Sequence, residues 1–433
     1  MKKRKPPRRI APAKDGYSNP AAFLGEDSPL LKSGTFLRSN LTSDPDLLTT
    51  LYRESWLTMR IIDMPSEDMT RAWYRFCAPL PEEDVEALRR LEARHSVRQE
   101  LTDAIRWARL YGGSLALMVL RGEEDRLSEP LDPDYLLPDC FQGLLVLDRA
   151  RGIEPSAELE EDLDDPDFGL PKYYTADLDD FGVVRIHHSR VLRFTGRELP
   201  RLEAQRENYW GASELEHIWD ELQKRSAVSA NIAQLVFQAN VTTLKMSDFG
   251  DVLAMGTEDQ KRRIRDAVFE ENRFRTSFGL QLLSAGDTLE NHPYAFGGLA
   301  EIYEQFMLDM AGASEIPAVK LFGRSPAGLN ATGESDLKNY YEYISALQER
   351  LLRPALEKLL PVLALSAWGT LPEDTGFVFN PIAAGSPAEN AELADKLSAS
   401  VIEAYRAGLL TREEARAELR SRGTPYGVWQ NTS

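Results

Sequence analysis

The stretch "EIPAVKLFGRSPAGLNATGESDLKNYYEYISALQERLLRPALEKL", residues 315–359, joins a glycine-rich segment to a long amphipathic run, and its reading decides the fold. Within it, Gly328 to Ser335 has the spacing of a P-loop, whose backbone N–H groups at a helix N-terminus cradle phosphate oxygens. That chemistry requires a lysine after the second glycine. Glu334 stands there and sets a negative charge against the β- and γ-phosphates, so the segment is not read as a nucleotide site. Gly323, Gly328 and Gly333 permit positive φ, Pro317 and Pro326 fix φ, and Asn330 tolerates the left-handed region. A shaped loop from about Pro317 to Gly333 is the expectation. Thr332 or Ser335 then caps a helix whose apolar face is Leu337, Tyr340, Tyr341, Ile344, Leu347 and Leu351, ending at Pro354.

Outward from this stretch, 433 residues exceed what one hydrophobic core usually serves, which predicts two or more substructures. With 42% hydrophobic and 28% charged residues the composition is that of a folded globular chain. The longest apolar candidate, "LLPVLALSAW" at 359–368, is too short to span a bilayer. The start, "MKKRKPPRRIAPAK", is basic but lacks the apolar region of a secretory signal. Cys77 and Cys140 match no paired or metal-binding spacing, which fits a reducing compartment.

The net charge of −18 is uneven: residues 2–14 hold seven Lys/Arg and no acid, whereas 154–180 hold eleven acids against Lys172 alone. A solvated basic arm and an exposed acidic loop are the simplest readings. Affinity for DNA comes from cations that release counterions, so such a body is not expected to wrap a duplex tightly.

Helical spacing over 44–73, with Leu48, Leu51, Trp56, Met59 and Ile62, predicts a helix pair broken by Pro65. Residues 82–113 predict two more helices, stopped by Gly112 and Gly113. Strand-like runs at 114–120, 143–148, 182–196 and 241–246 predict a small mixed sheet. A long helix follows Ser213, carrying Leu215, Ile218, Leu222, Val228, Ile232, Leu235 and Val236. The helix expected over 257–275 is strongly charged, with apolar residues only at Ile264, Val268 and Phe269. After a β-like piece at 277–290, a helix over 297–317 sets Leu299, Ile302, Tyr303, Phe306 and Met310 on one face. Glu301, Glu304 and Asp309 lie largely on others. Ser386–Glu389 and Thr411–Glu414 have capping-box spacing ahead of two last helices. The fold class is helix-rich α+β.

The 315–359 stretch, with "LYRESWLTMRIIDMPSEDMTRAW" at 51–73, resembles the portal proteins of tailed phages, in particular the family whose N-terminal region is also found fused to anti-CBASS phosphodiesterase domains. The similarity spans roughly residues 35–420. The resemblance implies a ring, typically of twelve subunits, at one capsid vertex, through which DNA is packaged, retained and ejected. Partners so implied are further copies of the chain, weakly and non-specifically bound double-stranded DNA, the terminase large subunit, head-tail adaptors and capsid or scaffold proteins, with no membrane. The location implied is the virion, after assembly in the host cytoplasm.

Carried over, the organisation is a flexible arm (1–33), a wing (34–256), stem helices and clip (257–316, clip tip about 276–296), a tunnel loop (317–334), a long wing helix and return strand (335–385) and a short crown (386–433). The stem pair falls on 257–275 and 298–315. Tunnel-loop residues are then Lys320, Phe322, Arg324, Gly328, Asn330, Thr332, Gly333 and Glu334, and the channel wall includes Glu301, Glu304 and Asp309. Acidic walls keep the duplex from an electrostatic trap. Lys320 and Arg324 either touch phosphates or form ordinary ion pairs.

Catalysis is not expected. His187, His188 and Ser189 form one H-x-S, and the fused phosphodiesterases use two H-x-T/S pairs; no second pair exists. His187 and His188 read as sheet residues, one facing in and one out. The acids of 158–180 look too irregular to hold a metal, and neither metal nor other cofactor is expected. The chain ends at Ser433, about a dozen residues past its last helical pattern, from which no appended catalytic domain is expected. Two readings compete with the ring: a cyclic-oligonucleotide phosphodiesterase of the anti-CBASS type, and a non-ring minor head protein.

Overall fold

The Asp44 carboxylate accepts the Leu47 N–H and starts α1 (Pro45–Glu54); the Ser55 hydroxyl accepts the Thr58 N–H and starts α2 (Trp56–Arg71). The computed structural model describes residues 40–77, 80–178, 182–237, 240–245, 255, 257–263, 266, 288–293, 297–323, 333–372, 376–382 and 387–423. The break between the two helices falls at Ser55, and α2 runs unbroken through Pro65. Proline removes the N–H that would bond the Ile61 carbonyl. The Arg109 guanidinium supplies that donor instead, at 3.2 Å, from a position only 3% exposed. Because the break comes ten residues early, the buried face of α2 is Leu57, Ile61, Ile62 and Met69, while Trp56 and Met59 are exposed.

Next in the chain come β1 (Tyr74–Phe76), α3 (Glu82–Arg94) and α4 (Val97–Tyr111), the last ended by Gly112 at φ +85°. Gly112 is needed for space as well as for φ. A Cβ there would meet the Gly211 carbonyl oxygen at 2.4 Å, and its own carbonyl accepts the N–H groups of both Gly196 and Gly211 at 2.9 Å.

β2 (Gly113–Leu120) pairs with β3 (Phe141–Asp148) and with β7 (Val191–Thr195). A second three-stranded sheet holds β4 (Glu154–Pro155), β5 (Tyr173–Asp177) and β6 (Val183–His187). Leu115 and Leu117 on β2 join Leu147, Tyr174, Ala176, Ile186, Val191 and Trp210 in one apolar cluster spanning both sheets. Alternation along β2 sends Ala116 and Met118 to its other face, the side of α4. Every pairing among the described strands is antiparallel, so the expected mixed sheet is not what forms. Nor is 182–196 a single strand: a 3-10 turn at His188–Arg190 moves the chain from one sheet to the other. Arg190 locks that turn, 2% exposed, through the Glu129 carbonyl at 2.7 Å and Glu123 at 2.9 Å.

α5 (Arg201–Arg206) leads to α6 (Glu214–Phe237), whose first turn is held by the Ser213 hydroxyl accepting the Leu215 N–H. The chain divides into two units, 1–220 with 310–433, and 221–309. In the second unit β8 (Asn240–Lys245) pairs with β9 (Thr288–Pro293). There the later part of α6 meets the start of α7 (Leu299–Ser314) through Arg225, which donates to the Tyr303 hydroxyl at 3.0 Å. On α7 Met307, Met310 and Ala311 are buried, whereas Ile302, expected on the inner face, is 53% exposed.

In the first unit the chain continues as α8 (Ala318–Phe322), α9 (Glu334–Leu347) and α10 (Arg353–Trp368). The helix does not end at Pro354. A π-helical turn at Gln348–Leu352 links α9 to α10, and Pro354 sits in the first turn of α10 directly after it. Gln348 uses the turn to donate to the Met69 carbonyl at the end of α2. β10 (Phe377–Phe379) returns to pair with β1. α11 (Pro387–Arg406) and α12 (Arg412–Gly423) close the chain, α12 with the expected capping box between Thr411 and Glu414. Ser386 lies outside the described residues. The result is a helix-rich α+β chain, and among the described residues no helix is long and apolar enough to cross a membrane.

Candidate functional site

The segment expected to be a loop from Pro317 is helical at first. The Pro317 carbonyl accepts the N–H groups of Lys320 and Leu321 at 2.9 and 2.8 Å, which opens α8, and Gly323 ends it at φ +73°. Arg324, Gly328, Asn330 and Thr332 lie outside the described residues. The chain is described again at Gly333, φ +56°, which takes the cap position of α9 in place of Thr332 or Ser335. Its carbonyl accepts the Leu337 N–H at 3.0 Å, and Glu334 is the first helical residue. The two flanks of 324–332 adjoin: a Cβ on Gly333 would lie 3.0 Å from the Val319 side chain.

Both flanks converge on Asp68 of α2, a carboxylate only 5% exposed. Lys320 from α8 reaches it at 2.6 Å, and the Tyr340 hydroxyl from α9 donates to the same oxygen at 2.7 Å. Arg71 approaches the other oxygen at 3.3 Å. The Lys320 ammonium also lies 5.1 and 5.7 Å from the ring centroids of Tyr340 and Tyr341. Arg60 donates to the Lys320 carbonyl at 2.9 Å, and Phe322 meets the Trp56 ring edge-on. Burial, and then the neighbouring Asp68 charge, push the Tyr340 phenol well above its ordinary range. Lys320 is thus ion-paired within the chain, to a buried carboxylate on α2. Asp68 itself carried no sequence signal beyond a charge on a helix, because its partners come from residues far along the chain.

On α7, Glu301 and Asp309 are exposed and Glu304 half-buried; Gln305 donates to Asp309 at 3.0 Å.

The H-x-S at 187–189 falls in a different setting from the one expected. His187 and His188 are both 4% exposed, with rings 4.4 Å apart, because the 3-10 turn removes the strand alternation that would put one outside. Residues 160–167 of the acidic stretch lie against them. His188 lies between Asp167, 2.9 Å from Nδ1, and Glu160, 3.2 Å from Nε2, with Asp165 at 3.9 Å. Glu160, His187 and His188, or Asp165, Asp167 and His188, are thus close enough to share a cation. The charges are already matched by the protein's own ammonium groups: Lys172 at 3.3 Å from Glu160 and Lys358 at 2.7 Å from Asp167. His187 Nδ1 accepts the Ser189 N–H at 3.2 Å, which places the proton of the neutral ring on Nε2. The cluster is a closed ion network fastening the acidic stretch to β6 and α10. The Asp162 and Glu161 N–H groups and Lys172 hold Glu160 down at about 2. Burial opposes ionisation of Asp167, but the His188 hydrogen bond and Lys358 outweigh it and hold its carboxyl well below the usual range. Burial, with His188 alongside, lowers His187 to about 4.

A family model described as phage portal protein matches residues 47–402. An uncharacterized protein of Haemophilus influenzae is 30% identical over 412 residues, 94% of this chain and 90% of that protein. An anti-CBASS protein Acb1 of Caulobacter sp. is 30% identical over 359 residues, 81% of this chain; the chain spans 56% of that relative's length. Among solved structures, a chain from the neck of an empty GTA particle is similar at TM-score 0.49 and 16% identity, over 86% of this chain and 93% of that one.

Proposed function

The chain belongs to the phage portal protein family, and on that premise we propose that it forms a closed ring of about twelve copies around a DNA channel at one capsid vertex. The observation that carries this reading is the family match across 47–402, which takes in both the Asp68 helix and the segment that returns to it. Apolar surface left over on the second unit supports assembly. Leu222, Val228 and Ile232 on α6 are only half-buried and Ile302 on α7 is exposed, at positions a neighbouring copy would cover.

In this reading residues 257–316 form stem helices and clip, with the stem pair on 257–275 and 298–315, and 317–334 face the channel. Glu301, Glu304 and Asp309 belong to its wall, where negative charge keeps the duplex from binding. The ring docks the terminase and head-tail adaptors, joins capsid or scaffold proteins in the host cytoplasm, and stays in the virion. It carries out no catalysis: Glu334 opposes nucleotide phosphates, and the two histidines are committed to an ion network.

The test is to withhold the chain during particle assembly and then restore it. Heads made without it are expected to contain no DNA, and restoration to refill them. Filled heads in its absence, or hydrolysis of cyclic oligonucleotides by the purified protein, would contradict the proposal.

A further inference from the structure

We propose that Asp68 is a positioning residue: one buried carboxylate fixes both flanks of residues 324–332 to α2, and so sets where that segment leaves and rejoins the ring body. The inference rests on the portal reading.

Three independent contacts converge. Lys320 and Tyr340 approach the same carboxylate oxygen at 2.6 and 2.7 Å from opposite sides of the segment. Arg60, two turns earlier on α2, holds the backbone carbonyl of Lys320 at 2.9 Å. A Cβ on Gly333 would lie 3.0 Å from the Val319 side chain, so the flanks adjoin where α2 grips them. Burying a carboxylate and an ammonium carries a desolvation cost that an apolar pair of similar volume avoids. What the ion pair adds is direction, since a charged hydrogen bond defines a point and an angle that apolar contact leaves free. The Lys320 side chain is 16% exposed and already engaged, so its charge serves Asp68 and not a phosphate.

The test compares Asp68→Asn with the double variant Asp68→Asn/Lys320→Met in the full chain, reading ring melting temperature and DNA retained per particle. Asp68→Asn strands the Lys320 ammonium and is expected to lower both. The double variant removes both charges, so its rings are expected to melt within about 2 °C of wild type, yet their particles are expected to retain severalfold less DNA. Tyr340→Phe, which leaves the ion pair intact and unties only α9, is expected to lose DNA without losing rings. Wild-type DNA content in both the double variant and Tyr340→Phe would overturn the assignment while leaving the portal reading intact. A wild-type chain that forms no ring would overturn both.

Discussion

His187 shows how one buried ring makes stability depend on pH. Its proton affinity falls from the ordinary 6.5 to about 4 on folding, so the unfolded chain binds more protons between those values. Stability from this group is complete above about pH 6.5 and is lost as the pH falls towards 4, at a cost on the order of 1–3 kcal/mol. Glu160 and Asp167, both depressed, add a second loss below about pH 4. Asparagine at 187 keeps an acceptor for the Ser189 N–H without the titration. The variant His187→Asn is therefore expected to flatten the melting-temperature profile between pH 6.5 and 4 and leave the steeper fall below it. A second residue-scale prediction concerns Gly333, where positive φ and the Val319 side chain both oppose a Cβ. Gly333→Ala is expected to cost about 1 kcal/mol or more, measured as a lower urea midpoint. The glycine's need for positive φ was legible in the sequence. The crowding against Val319 was not, since it depends on the chain returning to its starting point.

Among the elements, those with local signals were the readable ones. α3 and α4 follow from periodicity, α4 ends where Gly112 says it should, and the Thr411 capping box starts α12 as its spacing implies. The failures have causes the local pattern does not carry. Pro65 looked like a break because its compensating donor, Arg109, sits on another helix. Pro354 looked like a stop because nothing in the local pattern announces a π-helical turn. The histidine-rich strand split in two because Arg190 finds its partners in the 123–130 loop. Arg109→Met tests this account: it leaves the Ile61 carbonyl without its donor and removes the Glu214 contact at 3.4 Å. The expected cost is about 3 kcal/mol, read as a lower urea midpoint with unchanged slope. An unchanged midpoint would mean that α2 tolerates its proline without help.

For the molecule as a whole, composition and charge bounded the answer, and resemblance in two stretches named the family that the match over 47–402 bears out. The site was less legible. Lys320 and Phe322 are described, Arg324 through Thr332 are not, and the carboxylate that organises both flanks lies some 250 residues earlier in the chain. What periodicity does carry to this scale is the half-covered apolar row on α6, which the proposed ring would cover. The most direct measurement is to image the purified chain and weigh it by light scattering in the same buffer. The account predicts closed rings with a central opening and a mass many times that of the 48.8 kDa chain. A monodisperse 48.8 kDa particle at micromolar concentration, with no ring in any field, would contradict it.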